Sequence, residues 1–242
     1  MSAVKAHYDG HLGPVYAWMV GGIAPALERG AAELEALGVR PSKAGVAVDL
    51  GAGFGMHSVP LARRGYEVVA IDSSAVMVED LVRQAEGLRV RAICDDLLSF
   101  PRHLSTKAEL ILCMGDTLTH LPDEEYVQRL LVTVREWLAE DGCFVMTLRD
   151  YSAPLVGNDR FIPVRSDEHR IFVCFLEYSD TRVRISDILH EREGSQWKMR
   201  VSSYDKLRIL PAWLNDRLRQ AGFAVARDAN ASGMLRFVAR PA

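Results

Sequence analysis

Three things are scarce in these 242 residues. The first is charge of one sign: 29 lysines and arginines against 32 acids leave a net charge of −3. The basic excess that suits a nucleic acid or an anionic membrane is missing, so neither is expected as a partner. The second is long apolar runs. None reaches the roughly 20 residues of a bilayer-spanning helix, and the opening "MSAVKAHYDG" has no apolar signal-peptide core, so a cytoplasmic protein is expected. The third is cysteine. Cys94, Cys113, Cys143 and Cys174 share no ligand spacing. Three of them sit inside apolar runs, so they read as buried, reduced thiols, and no metal is expected. His7 and His11 stand four residues apart, as two ligands on one helical face would. With no third ligand near them they read as surface histidines. Internal repeats and low-complexity segments are absent too.

Up to residue 150 two periods alternate. "GVAVDL" (45–50), "EVVAID" (67–72), "LRVRAIC" (88–94), "ELILCM" (109–114) and "CFVMTL" (143–148) are short and apolar, and read as strands buried on both faces. Between them lie amphipathic helices. In one, Val78, Leu81, Val82 and Ala85 share a face, with Ser73 or Ser74 as N-cap. In another, Val127, Leu130, Leu131, Val134 and Leu138 form the stripe, between Pro122 and Gly142. Such alternation predicts an α/β fold with a parallel sheet covered by helices. After Leu148 come "HRIFVCFLEYS", "TRVRISDILHERE" and "QWKMRVSSYDKLRIL", an antiparallel meander. In its last strand Trp197, Met199 and Val201 face one way and Lys198, Arg200 and Ser202 the other, which predicts one wet face. A helix at "PAWLNDRLRQAGF" and a hairpin from "AVARDA" and "MLRFVARP" close the chain. The expected organisation is one domain over 1–242. It has a helical cap at 1–40 and a β-rich insertion at 151–210.

"VDLGAGFG" places Gly51, Gly53 and Gly55 at alternate positions, where the first strand meets a helix. In an open parallel sheet, ligands bind at the carboxyl ends of the strands, near the switch in strand order. Glycine there permits unusual backbone angles and a ligand's close approach to the main chain. A dinucleotide fingerprint would put its last glycine where Met56 stands.

These residues resemble the first motif of class I S-adenosylmethionine-dependent methyltransferases. The resemblance implies a doubly wound, seven-stranded, mostly parallel Rossmann-like sheet. It also implies S-adenosylmethionine as cofactor, with Gly51, Ala52 and Gly53 against it. Asp72, ending "VVAID", matches the ribose-binding acid, with Ser73 beside it. "CDDLLSF" is similar to the third motif, so Asp95 would meet the adenine amino group and the backbone of Asp96 and Leu97 the ring edge. "AELILCMGDTLTHL" is similar to the fourth, and Met114 would line the methionine part. More narrowly, "CMGDTLTHL", "MTLRDYS" and "HYDG…VYAWM" resemble the glycine N-methyltransferase-like group. That maps Tyr8 and Tyr16 onto cofactor contacts and Arg149 onto a grip on a substrate carboxylate. Asp116 replaces this group's asparagine, and a carboxylate there favours a cationic amine or a hydroxyl donor over an anionic amino acid.

The implied chemistry is methyl transfer to a nitrogen or oxygen of a small molecule, which demands alignment, exclusion of water and a free lone pair on the acceptor. Asp116, Arg149, Tyr151 and Tyr204 are the acceptor-side candidates. His120 is the candidate base, with packing or capping before "LPDEE" as its other reading. Tyr204 reads as exposed unless its face lines the pocket. Two rivals stand beside this reading: a NAD(P)-dependent oxidoreductase and a non-catalytic S-adenosylmethionine-binding protein. The acceptor's identity and the oligomeric state are not legible.

Overall fold

The computed structural model describes residues 3–42, 45–230 and 233–242. Five parallel strands form the centre of the main sheet: β1 (Val46–Leu50), β2 (Glu67–Asp72), β3 (Val90–Cys94), β4 (Ala108–Cys113) and β5 (Leu138–Leu148). Their apolar runs are buried because helices cover both faces. Helices α3 (Ile23–Ala36), α4 (Ser58–Arg63) and α5 (Ala75–Gln84) pack on one face, through Leu34, Leu61 and Leu81. Helices α6 (Glu124–Trp137) and α7 (Pro211–Gln220) cover the other, through Leu130, Val134 and Leu214. β3 is an edge strand with no fully buried residue, unlike its expected burial on both faces. The closing hairpin, β10 (Phe223–Ala229) and β11 (Leu235–Pro241), joins antiparallel beside β5. The sheet order is β10-β11-β5-β4-β1-β2-β3. Strand order therefore reverses between β1 and β4, which places the crevice for a ligand at their carboxyl ends.

The second sheet is antiparallel, in the order β6 (Phe161–Ser166), β7 (Arg170–Tyr178), β8 (Arg182–Glu193), β9 (Gln196–Leu207). It falls inside the stretch read as an insertion. Its faces correct the sequence reading. Trp197, Met199 and Val201 are exposed by 45%, 62% and 51%. On the opposite face Tyr204 and Lys206 turn inward and are buried. Ordinary alternation puts residues 202, 204 and 206 on one face, and that face closes over the crevice of the main sheet.

The start of the chain divides. Helix α1 (Ala3–His7), a π-helical turn (Tyr8–Leu12) and α2 (Gly13–Met19) lie between the crevice and the second sheet, where Leu12 and Val15 pack on Phe172 and Leu189. Helix α3 instead belongs to the main sheet's helical layer. Two boundaries also differ from expectation. Helix α6 is capped by Asp123, which accepts from Tyr126 N, and ends at Trp137. Leu138 then opens β5 with an irregular register toward β4. Gly142 lies inside that irregularity, where a Cβ would come within 2.8 Å of Leu138 Cγ.

Candidate active site

The three glycines after β1 all have positive φ, at +74°, +55° and +97°, and each has its own reason. A Cβ on Gly51 would overlap the Thr117 side chain, and one on Gly55 would overlap Leu81. A Cβ on Gly53 would meet nothing within 4 Å. The close approach at Gly51 is therefore made by Thr117, and only Gly53 fronts open space. Four of the loop's donors turn into the protein. Gly51 N and Ala52 N both donate to Ile71 O, at 2.8 and 3.0 Å, and Gly55 N donates to Ala52 O at 3.0 Å. Gly53 N donates to Asp72 Oδ2 at 2.8 Å. A pyrophosphate cradle needs such N–H groups aimed at the ligand; here they are engaged.

Asp72 accepts one backbone hydrogen bond on each oxygen, from Gly53 N and from Ser74 N at 2.9 Å. Each oxygen keeps a lone-pair direction, which fits a pair of ribose hydroxyls. Burial raises its pKa, against the opposing pull of those N–H donors. The N-cap of α5 is Ser74, not Ser73. Ser73 is exposed, and its carbonyl accepts from Cys94 Sγ. Below the loop, Asp49 is 1% exposed and accepts from Ser58 Oγ at 2.6 Å. It ties β1 to the start of α4, and burial raises its pKa. No role was read for Asp49 from sequence, although an acid inside an apolar strand was the available signal.

The remaining cofactor-side candidates gather around this edge. Asp95 accepts from His103 Nε2 at 2.8 Å, which lowers its pKa, and also from Asp96 N at 2.8 Å. Asp96 caps the turn that begins at Leu97, accepting from Leu98 N. Met114 is buried, and its carbonyl accepts from Thr117 Oγ1 at 2.8 Å. The Tyr8 and Tyr16 rings lie 6.2 Å apart, and Tyr16 is 5.8 Å from Phe54 of the glycine loop. Burial pushes Tyr16 up to about 12 and Tyr8 well above its ordinary value, so both stay neutral.

On the acceptor side, Asp116 has φ +73°, the one non-glycine residue at positive φ among those described. Its carboxylate is met within the protein. Oδ1 accepts from Arg149 N at 3.0 Å; Oδ2 accepts from Tyr151 Oη at 3.0 Å and Lys206 Nζ at 2.6 Å. Among the described residues the side-chain ion-pair partner of Asp116 is Lys206, not Arg149. Arg149 itself is exposed at the end of β5. His120 ends the 3-10 turn Thr117–His120, with Nε2 3.5 Å from Tyr8 Oη. Its Nδ1 is buried without a protein partner. Burial, then the charge of Lys206 and of His7, holds its pKa well below the usual histidine value, so the imidazole is neutral. The Tyr204 ring is 5.5 Å from it. Tyr204 is 7% exposed, so it is not a surface residue; its ring packs against His120 and Tyr8.

The two histidines read as superficial are buried. His7 Nε2 meets Asp187 at 2.9 Å and Nδ1 meets Ser202 at 2.8 Å, while Cys174 Sγ donates to the other oxygen of Asp187. Partners 180 and 195 residues away are invisible to local pattern. His11 Nε2 is buried with no protein partner, and burial lowers its pKa. The cysteines are all free, but only Cys113 and Cys143 are buried; Cys174 is half-buried and Cys94 is exposed. Among the described residues no three His, Cys, Asp or Glu side chains gather as a metal site, and no helix is long and apolar enough to cross a membrane.

Comparison with known proteins fits this geometry. A methyltransferase-domain family matches residues 47–142. A glycine/sarcosine N-methyltransferase of Aphanothece halophytica is 29% identical over 131 residues, covering 52% of this chain and 46% of that protein. The chain thus spans less than half the length of that relative. Among solved structures, the CcbJ methyltransferase of Streptomyces caelestis has a TM-score of 0.80 at 20% identity over the full length of both chains. CalS10, an amino pentose methyltransferase of Micromonospora echinaspora, has a TM-score of 0.77 at 15% identity, covering 95% of this chain and 96% of that one.

Proposed function

We propose that this chain, which has a methyltransferase-family match at residues 47–142 and the fold of solved methyltransferase structures, is a class I S-adenosylmethionine-dependent methyltransferase that methylates a nitrogen of a small-molecule amine. The observation that carries the reading is the pairing of an inward-turned glycine loop with open space at Gly53 and a two-oxygen acceptor at Asp72. This suits a ribose and an uncharged adenosyl body. It does not suit a pyrophosphate, which argues against the dinucleotide oxidoreductase.

Bound S-adenosylmethionine supplies an electrophilic methyl on a sulfonium; as the acceptor nitrogen forms its bond to carbon, the C–S bond breaks and its electron pair stays on sulfur. The protein's residues handle the rest. Asp72 holds the ribose. Tyr8 and Tyr16 wall the site and exclude water, which exposes the nitrogen lone pair. His120, kept neutral, accepts the proton that the nitrogen sheds. An oxygen acceptor would need a stronger base than this depressed imidazole, so nitrogen is the better-supported atom.

The test is a mass increase of one methyl group when the full chain and labelled cofactor meet a panel of amines, alcohols and carboxylates. Tight cofactor binding with no methylated amine would overturn the reading.

A further inference from the structure

Lys206 was not among the site residues legible in the sequence, yet its side chain is only 9% exposed. Nothing in "SSYDKL" marks it, because a lysine on an alternating strand reads as solvated. Among the described residues its ammonium makes a single hydrogen bond, to Asp116 Oδ2 at 2.6 Å. An ammonium carries three donors. The other two have no partner among the described residues; the Tyr204 ring centre is 5.8 Å from Nζ, and the His120 ring is 5.5 Å from the same tyrosine. Asp116 Oδ1, with one donor from Arg149 N, keeps a lone pair as well.

Two groups on an acceptor could meet these donors, a hydroxyl or a carboxylate. A carboxylate would put a second anion across the same ammonium from Asp116, in a site shielded from water. Like charges so placed cannot both ionise without a large cost. A hydroxyl adds no charge and can accept from Lys206. Both His120 and Lys206 border the Tyr204 ring, so the nitrogen and a nearby oxygen of one small acceptor can meet them together.

We propose that Lys206, held by Asp116, is a specificity-determining residue that grips a hydroxyl oxygen beside the nitrogen to be methylated, so that the acceptor is a hydroxylated amine and not a free amino acid. This rests on the amine-methylation reading above. The competing grip is a carboxylate on the exposed Arg149.

The experiment compares three acceptors with the full chain: an amino sugar, its analogue lacking the hydroxyl next to the nitrogen, and an amino acid. The wild-type protein should favour the amino sugar at least tenfold in kcat/KM over both, through KM. In Lys206→Met the preference over the deoxy analogue should collapse toward unity. A double variant, Lys206→Met with Asp116→Asn, removes both buried charges and repeats the measurement if the single variant does not fold. Equal turnover of the deoxy analogue, preference for the amino acid, or a preference kept in a folded variant overturns the proposal. If the protein binds cofactor and methylates no amine at all, it is the amine reading that falls.

Discussion

At the scale of single residues, the glycine loop makes a contrast that substitution can read. Gly51→Val forces a side chain into Thr117, so the expected outcome is a lower melting temperature. Gly53→Val places its side chain in open space, at a cost of about 1–2 kcal/mol for positive φ, and should abolish cofactor binding while the protein still melts cooperatively. Calorimetry and thermal melting on both variants check this. Asp72→Asn keeps the shape and loses the charge, so affinity for S-adenosylmethionine should fall by about 1.5–3 kcal/mol; titration calorimetry that finds it unchanged removes Asp72 from the ribose site. His120→Gln should lower turnover by about 10²-fold or more, with cofactor affinity held within about twofold. The gathering of the cofactor-side candidates at one sheet edge was legible because they follow one strand end after another, in "VDLGAGFG", "VVAID" and "CDDLLSF". The acceptor half was less so. Asp116 was visible, but the partner that neutralises it lies 90 residues away in another sheet.

At the scale of elements, the segment α1 to α2 is fixed at two points. Asp9 Oδ1 accepts from Ser74 Oγ at 2.6 Å, beside Asp72, and His7 joins Asp187 and Ser202 on the second sheet. Tyr8 stands between them. Removing a buried hydrogen-bond partner leaves the other group unsatisfied at a cost of roughly 1–3 kcal/mol, so His7→Phe should lower the melting temperature. It should also raise the cofactor dissociation constant, because Tyr8 is no longer held over the site. Limited proteolysis should then cut within the first twenty residues; a variant that resists cleavage and binds normally would show that the segment needs no such anchor. Helix stripes were read well, since Val127, Leu130, Leu131 and Val134 are all buried. Val82 shows the limit, being 56% exposed at the margin of its helix's apolar face. Strand β9 failed in a different way. Alternation reveals that two faces exist, but the face turned inward depends on what it covers, and here a polar pocket took the polar row.

At the scale of the whole molecule, the two depressed histidines give stability a pH dependence of known sign. His11 and His120 have folded pKa values below the ordinary 6.5. Below that value the unfolded chain takes up protons that the folded protein refuses. The contribution of these two histidines should therefore be flat above about pH 6.5 and fall as the pH drops toward the folded values, by up to about 1.4 kcal/mol per pH unit for each histidine. The buried Asp49 and Asp72, whose pKa values are raised, act in the opposite sense as they take up protons. Melting temperatures recorded from about pH 7.5 down to about pH 5.5 should fall less steeply in His11→Phe than in the wild type. The α/β core was legible from periodicity alone, because each strand–helix step is local. The way the second sheet folds back over the crevice was not, because it is fixed by pairings between distant parts of the chain. Those pairings also set an order of assembly. His7 meets residues 187 and 202, and Lys206 meets Asp116. The acceptor pocket therefore cannot close on a growing chain until the ninth strand has left the ribosome, long after the parallel strands can pair. Bringing such remote segments together carries a loop-closure entropy that local turns avoid. In mild denaturant the contacts of Lys206 with Asp116 and of His7 with Asp187 should open before the main sheet does, an order that hydrogen exchange reads.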